Sequence, residues 1–255
     1  MIELSGVTVS AGGQTILRDI SFGLDSGSTC AVLGANGAGK STLLSAMGGD
    51  IAVENGEVLL GGRGIDTWPL GERAHVMGML HQDTGIDFPF EVAEIVLMGR
   101  TPHTDATMRE KLEICADVMA SLELTSLAAR DVTTLSGGER QRVQIARVFA
   151  QIWDRVADSV LLLDEPTTAL DLRFQDLISR RIRELADAGA TVVAAIHDLN
   201  LALRSADHVV LLLEGRVLAQ GDPASVMTEA NVESAYGLPV SVIESAQHGR
   251  LVIPR

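Results

Sequence analysis

The chain has 255 residues, 46% hydrophobic but only 3% aromatic, so its core is built from aliphatic side chains and offers few exposed rings for stacking nucleobases. A formal net charge of −14 repels phosphate backbones and anionic headgroups over the surface as a whole, which argues against nucleic acid or lipid as a direct partner and confines any phosphate binding to a local site. The N-terminus Met1-Ile2-Glu3-Leu4 has no basic or apolar leader, and no stretch reaches the ~18 apolar residues of a membrane span. The expectation is a cytosolic protein that, at a membrane, uses the helices of another chain.

In chain order, Ile2-Glu3-Leu4 and Val7-Thr8-Val9 alternate as a strand, Gly12-Gly13 turns, and Ile16-Leu17 with Ile20, Phe22 and Leu24 returns, which predicts an antiparallel β-layer. Thr29-Cys30-Ala31-Val32-Leu33 then reads as a buried strand. Val58-Leu59-Leu60, Val76 to Leu80, Val160 to Leu163, Thr191 to Ile196 and Val209 to Leu213 are short continuous apolar runs, the pattern of strands covered on both faces. Between His81 and Asp158 the period becomes helical. Val92, Ile95, Val96 and Met98 mark a short helix, and Met108, Leu112, Cys115, Met119 and Leu122 mark one face of a longer one. Gly215-Arg216 predicts a hairpin turn before Val217-Leu218-Ala219, and Asp222-Pro223 starts a terminal helical stretch. Length and pattern together predict one α/β core carrying an insertion. Cys30 and Cys115 have no metal-ligand spacing and read as small apolar fillers in a reducing compartment.

Chemistry concentrates in three strings. Gly34-Ala35-Asn36-Gly37-Ala38-Gly39-Lys40-Ser41 is a complete G-x-x-x-x-G-K-S loop between a strand and the helix begun by Ser41-Thr42. Its backbone N–H groups can cradle β- and γ-phosphates, Lys40 neutralises charge there, and the Ser41 hydroxyl can ligate Mg²⁺. Val160-Leu161-Leu162-Leu163-Asp164-Glu165 ends an apolar strand in two carboxylates. Asp164 is expected to hold Mg²⁺, and Glu165 to polarise or deprotonate the water that attacks the γ-phosphate. In Leu135-Ser136-Gly137-Gly138-Glu139, Ser136 and Glu139 form a capping box, while the glycines leave bare N–H groups at a helix N-terminus, a ready anion site.

In this order the three strings resemble the ATP-binding-cassette ATPases, over nearly the whole chain. The resemblance implies a P-loop NTPase fold with a RecA-like core, an N-terminal antiparallel β-layer and an inserted helical subdomain. It divides the chain into a core with the β-layer and phosphate loop (1–82), a helical subdomain with the signature (83–158), and the remaining core with the carboxylate strand, switch histidine and C-terminal tail (159–255). It makes Gln82 the glutamine that senses the γ-phosphate and Mg²⁺, His197 the switch histidine, and Ala169-Leu170-Asp171 the dimer-contact loop. Ser136, Gly137, Gly138 and Glu139 then contact ATP held by a second chain, so one loop and one signature imply a homodimer. The sequence departs from the family at Ser10-Ala11-Gly12-Gly13, where an aromatic often stacks on adenine and none is present.

Phe88-Pro89-Phe90-Glu91-Val92 with Val96-Leu97-Met98-Gly99-Arg100-Thr101-Pro102-His103 resembles cassettes of importers for iron chelates, vitamin B12 and haem, in which this region receives a permease's coupling helix. Gly99 and Pro102 also simply end a helix there. Ala146 to Trp153, with the connection Asp154 to Ser159, is similar to the haem-importing branch. This resemblance implies a peripheral ATPase at the cytoplasmic face of the membrane, bound to a permease dimer and acting indirectly with a substrate-binding protein. Siderophore or B12 import is the alternative, and a soluble iron–sulfur assembly ATPase the rival of another class. Direct haem binding is not expected: there is no Cys-x-x-Cys-His, and His75, His81, His103, His208 and His248 read as surface or structural.

Overall fold

In a computed structural model of the chain, residues 1–82, 88–245, 247 and 249–255 are described. His248 and residues 83–87 of the segment after Gln82 lie outside them. Strand β1 (Ile2–Ala11) turns through Gly12-Gly13 into β2 (Gln14–Leu24), pairing antiparallel from Ile2 opposite Leu24 to Ala11 opposite Gln14. Then follow β3 (Thr29–Leu33), α1 (Lys40–Gly48), β4 (Asn55–Leu60), β5 (Arg63–Gly64), α2 (Leu70–Val76) and β6 (Met77–Leu80). Three helices come next: α3 (Val92–Met98), α4 (Met108–Ser121) and α5 (Gly137–Ile152). The chain continues through β7 (Val160–Asp164), α6 (Leu172–Asp187), β8 (Thr191–Ala195), α7 (Leu199–Ser205), β9 (His208–Leu213) and β10 (Arg216–Gly221). It closes with α8 (Pro223–Val226), α9 (Glu229–Tyr236) and the hairpin β11 (Val240–Ser245) to β12 (Gly249–Pro254).

The central sheet runs β10-β9-β3-β8-β7-β6, parallel except for β10, and a second, antiparallel sheet runs β2-β1-β4-β5. Side chains of a strand alternate between faces, and here both faces are covered. Ala31, Leu33, Leu161, Leu163, Val192 and Ala194 enter one core with α3, α4 and α5; Cys30, Val32, Val160, Leu162, Val193 and Ala195 enter another with α1 and the antiparallel sheet. This is why the central strands read as unbroken apolar runs. Val58-Leu59-Leu60 is the exception to that expectation: it lies in β4 of the antiparallel sheet, with Val58 and Leu60 buried and Leu59 only half-buried. Pairing with β1 gives it one core-facing side, so its apolar run does not mark a two-sided strand.

The helical face predicted from Met108 to Leu122 is buried only in its second half. Cys115, Val118, Met119 and Leu122 are in the core, whereas Met108 and Leu112 are 60% and 50% exposed. Periodicity marks which residues share a face but not how far along the helix that face is covered. Cys30 and Cys115 are free and buried, and burial raises both thiols, Cys115 to about 11, so both are inert fillers. Among the described residues no helix is long and apolar enough to cross a membrane.

Candidate nucleotide site

Parallel strands bring their C-terminal ends to one edge of the sheet, the usual crevice for ligands in open α/β folds. There β3 delivers the glycine loop, β6 delivers Gln82, β7 delivers Asp164 and Glu165, and β8 delivers His197. Ile16, Asn36, Gly37, Gly39, Lys40, Ser41, Thr42, Gln82, Glu165 and His197 line one open cleft of about 780 Å³. Gly34 and Ala38 lie behind it as part of the loop's buried floor. Gly34 takes φ 147° and a Cβ there would come within 2.6 Å of the Leu212 carbonyl oxygen; Gly39, at φ 103°, would meet the Leu17 side chain at 2.8 Å. Only glycine fits either place.

Lys40 is nearly buried, its ammonium donating to the Gly34 and Ala35 carbonyls at 2.8 and 3.2 Å. Burial lowers its pKa against the opposing pull of Glu165 and Asp164. Asp164 is 4% exposed, and its Oδ1 has no hydrogen-bond partner. Burial raises its carboxyl, the Ser41 hydroxyl beside it works the other way, and the neighbouring Glu165 adds to the rise. A buried carboxylate oxygen left without a donor, next to a hydroxyl and below a phosphate cradle, is the donor set a hard divalent cation takes, so these residues fit Mg²⁺.

Glu165 is the centre of a hydrogen-bond cluster. Gln82 Nε2 donates to its Oε1 at 3.0 Å, His197 Nε2 lies 2.6 Å from the same oxygen, and Thr168 Oγ1 donates to Oε2 at 3.0 Å. Burial alone raises the Glu165 carboxyl, but the bonds to His197 and Thr168, with the electrostatic pull of His197 and Lys40, hold it below the usual glutamate value. A carboxylate held ionised in this way can accept a proton from a water bound beside the loop.

The capping box at the head of α5 forms as expected: the Ser136 hydroxyl accepts from the Glu139 N–H at 3.3 Å, and the Glu139 carboxylate accepts from the Ser136 N–H at 2.8 Å. The backbone bond from Ser136 keeps that carboxyl depressed. Among the described residues, none of Ser136 to Glu139 lines the cleft of their own chain. Asp171 caps α6, accepting from the Phe174 N–H at 3.0 Å. At the hairpin where the family often places an adenine-stacking ring, Ile16 instead presents an aliphatic side chain to the cleft.

Four contacts around the site escape motif reading. Thr168 holds Glu165, Gln141 of α5 donates to the Glu165 and Pro166 carbonyls, the Gly215 N–H donates to the Ala38 carbonyl, and the Tyr236 hydroxyl accepts from the Gly34 N–H at 3.0 Å. Gly215 and Tyr236 lie well over a hundred positions from their loop partners, 202 of them between Tyr236 and Gly34, beyond any local signal. The string Met98 to His103, expected as a docking surface, is largely turned inward. Arg100 is fully buried and pairs in bidentate fashion with Asp154, both bonds at 2.8 Å, while His103 is buried with Nε2 at 2.7 Å from the Gln151 carbonyl and its ring against His75. Among the described residues, the large apolar side chains left outside here are Phe88, Phe90 and Met98.

These features define a P-loop ATP-binding cassette, and residues 17–168 match the ABC transporter family model. The chain belongs to that family and binds ATP. Over the full length of both chains it is 42% identical to the hemin import ATP-binding protein HmuV of Pseudomonas entomophila. Among solved structures it is similar to a metal-chelate type ABC transporter in an inward-facing conformation, with 29% identity, a TM-score of 0.82, and coverage of 100% of this chain and 96% of that one. It is also similar to a dimeric ATP-binding cassette in a post-hydrolysis state bound to ADP and Pi, with 26% identity, a TM-score of 0.77, and coverage of 88% and 99%.

Proposed function

We propose that this chain is the ATP-hydrolysing subunit of an importer that moves hemin across the cytoplasmic membrane. The observation that carries hydrolysis is the convergence of Gln82, Thr168 and His197 on an ionised Glu165 at the mouth of the phosphate loop. The observation that carries hemin is the 42% identity, end to end, with a hemin import ATP-binding protein. A second reading, import of another iron chelate such as a ferric siderophore, or of B12, rests on the likeness to the metal-chelate type transporter.

In this reading the N–H groups of Gly34 to Thr42 hold the ATP phosphates and Lys40 turns from the loop carbonyls to the γ-phosphate. Ser41, Asp164 and Gln82 hold Mg²⁺, which neutralises phosphate charge when bound. Glu165 takes a proton from water as its oxygen bonds to the γ-phosphorus and the bond to the β–γ bridging oxygen breaks. His197 orients Glu165 and contacts the transferring phosphoryl group, and Ile16 supports the adenine.

Ser136 to Glu139 complete the ATP site of a second copy, with Asp171 at the dimer contact, which agrees with their place outside this chain's own cleft. The organisation is then core and β-layer (1–82), helical subdomain (83–158) and returning core (159–255). Exposed Phe88, Phe90 and Met98 receive a helix of the permease dimer at the cytoplasmic face, and a substrate-binding protein acts from the far side.

The test is growth of a strain lacking this gene on hemin, on a ferric siderophore, or on neither. Loss of growth on hemin alone, restored by the parent chain but not by Glu165→Gln, is the expected result. Purified Glu165→Gln is expected to bind ATP, lose turnover and accumulate dimers. Normal growth on hemin refutes the cargo, and normal turnover by the variant refutes the role of Glu165.

A further inference from the structure

We infer that Gln141 is a positioning residue that ties the first turns of α5, which carry the signature, to the backbone of this chain's own Glu165. The inference rests on the reading of Glu165 as the base. Glu165 adopts φ 51°, the left-handed region that a residue with a Cβ avoids unless its surroundings hold it there. Its N–H donates to the Ala195 carbonyl at 3.1 Å, which fixes one side. On the other side the next residue is Pro166, which has no N–H, so the peptide that follows Glu165 can be tethered only through carbonyl oxygens.

The Glu165 carbonyl accepts from the Thr168 N–H at 3.2 Å within the loop, and Gln141 supplies the tether from outside it. Its Nε2 carries two hydrogens and lies 3.2 Å from the Glu165 carbonyl oxygen and 3.4 Å from that of Pro166, forking across both. Gln141 does not line the ATP cleft, so it acts through Glu165 and not on the nucleotide.

A second contact joins the same two segments. Ala169, the other left-handed residue of the loop between β7 and α6 at φ 64°, lies under the signature: a Cβ on Gly138 would come within 2.9 Å of the Ala169 carbonyl oxygen. Both left-handed positions of this loop therefore lie against the first turns of α5, Glu165 bonded through Gln141 and Ala169 in close backbone approach to Gly138. The element proposed to clamp the ATP of a second copy is thus the same one that contacts the backbone of the proposed base for this chain's ATP.

The experiment uses the full-length chain and measures ATPase rate, ATP binding and melting temperature for Gln141→Met, which keeps length and bulk but has no donor. The expected result is a kcat about tenfold lower with KM for ATP within about twofold, since one positioning contact is lost while the phosphate cradle stays intact. The melting temperature is expected to stay near that of the parent. In a Glu165→Gln background the same change is expected to leave residual turnover unaltered, because both act through one carboxylate. Gln141→Glu, which points acceptors at the two carbonyls, is expected to lose more than Gln141→Met and gives the same reading should the latter not fold. A parent-like kcat, a parallel rise in KM with a fall in melting temperature, or an additive loss in the double variant overturns the inference. Parent-like turnover by Glu165→Gln alone overturns instead the reading on which it rests.

Discussion

Replacing Tyr236 by Phe tests whether the C-terminal helix holds the phosphate loop. The ring of this one tyrosine remains, and only the hydroxyl that accepts the Gly34 N–H at 3.0 Å is lost. Gly34 is buried, so its donor is left without a partner. An unsatisfied buried donor costs about 1–3 kcal/mol, and for a domain of this size each kcal/mol lowers the midpoint by roughly 2–4 °C. With a central cost of about 2 kcal/mol, Tyr236→Phe should melt roughly 4–8 °C lower, and its denaturant midpoint should fall with an unchanged slope. The assay is thermal and urea unfolding of both proteins without nucleotide. A variant that melts within about 1 °C of the parent refutes the assignment of this hydrogen bond as a structural tether. A changed urea slope refutes it too, because the effect would then lie in the compactness of the chain and not in one bond.

Glu165 has a folded pKa depressed below its unfolded value, so its ionised form stabilises the fold above the unfolded value, and that contribution is lost as pH falls through the folded one. The same depression keeps the proposed base ionised into the acid range. Thr168→Val removes one of the bonds that lowers it, so the acid limb of kcat/KM is expected to move to higher pH; a limb that stays in place rules out the Thr168 bond as a cause of the depression. Asp154→Ala leaves the fully buried Arg100 guanidinium without its bidentate partner. Breaking a buried pair costs about 3–5 kcal/mol, and because Asp154 is 40% exposed the loss belongs near the lower end, read as a fall in the urea midpoint. A midpoint equal to the parent's would show that solvent already screens the charge.

Much of the site is legible in the chain because its chemistry depends on short contiguous strings. The phosphate loop needs its glycines, lysine and serine in sequence, and the carboxylate pair must end a strand; both stand where the strings place them, at one edge of the sheet. The capping box at Ser136 and Glu139 is likewise a matter of three-residue spacing. The string from Met98 to His103 is less legible. His103 is structural, as it reads, buried against His75, but a docking reading of its string overlooks that Arg100 and His103 turn inward toward α5.

The sequence by itself determines the ATP-binding loop, the carboxylates beside it, the parallel core strands and the order in which they come, since each is set by backbone chemistry or by a local hydrophobic period. Tertiary structure alone decides which groups meet Glu165. Gln82 comes from β6, Gln141 from α5 and His197 from the end of β8, and they converge only when parallel strands align their ends. It alone also assigns β4 to the outer sheet, leaves the first half of the α4 face in solvent, and brings Tyr236 to Gly34 across 202 residues. Local patterning states what a segment can bury or bond; which partner it finds depends on the packing of the whole chain, where an unpaired buried donor or an uncovered apolar face costs free energy that only a distant segment can offset.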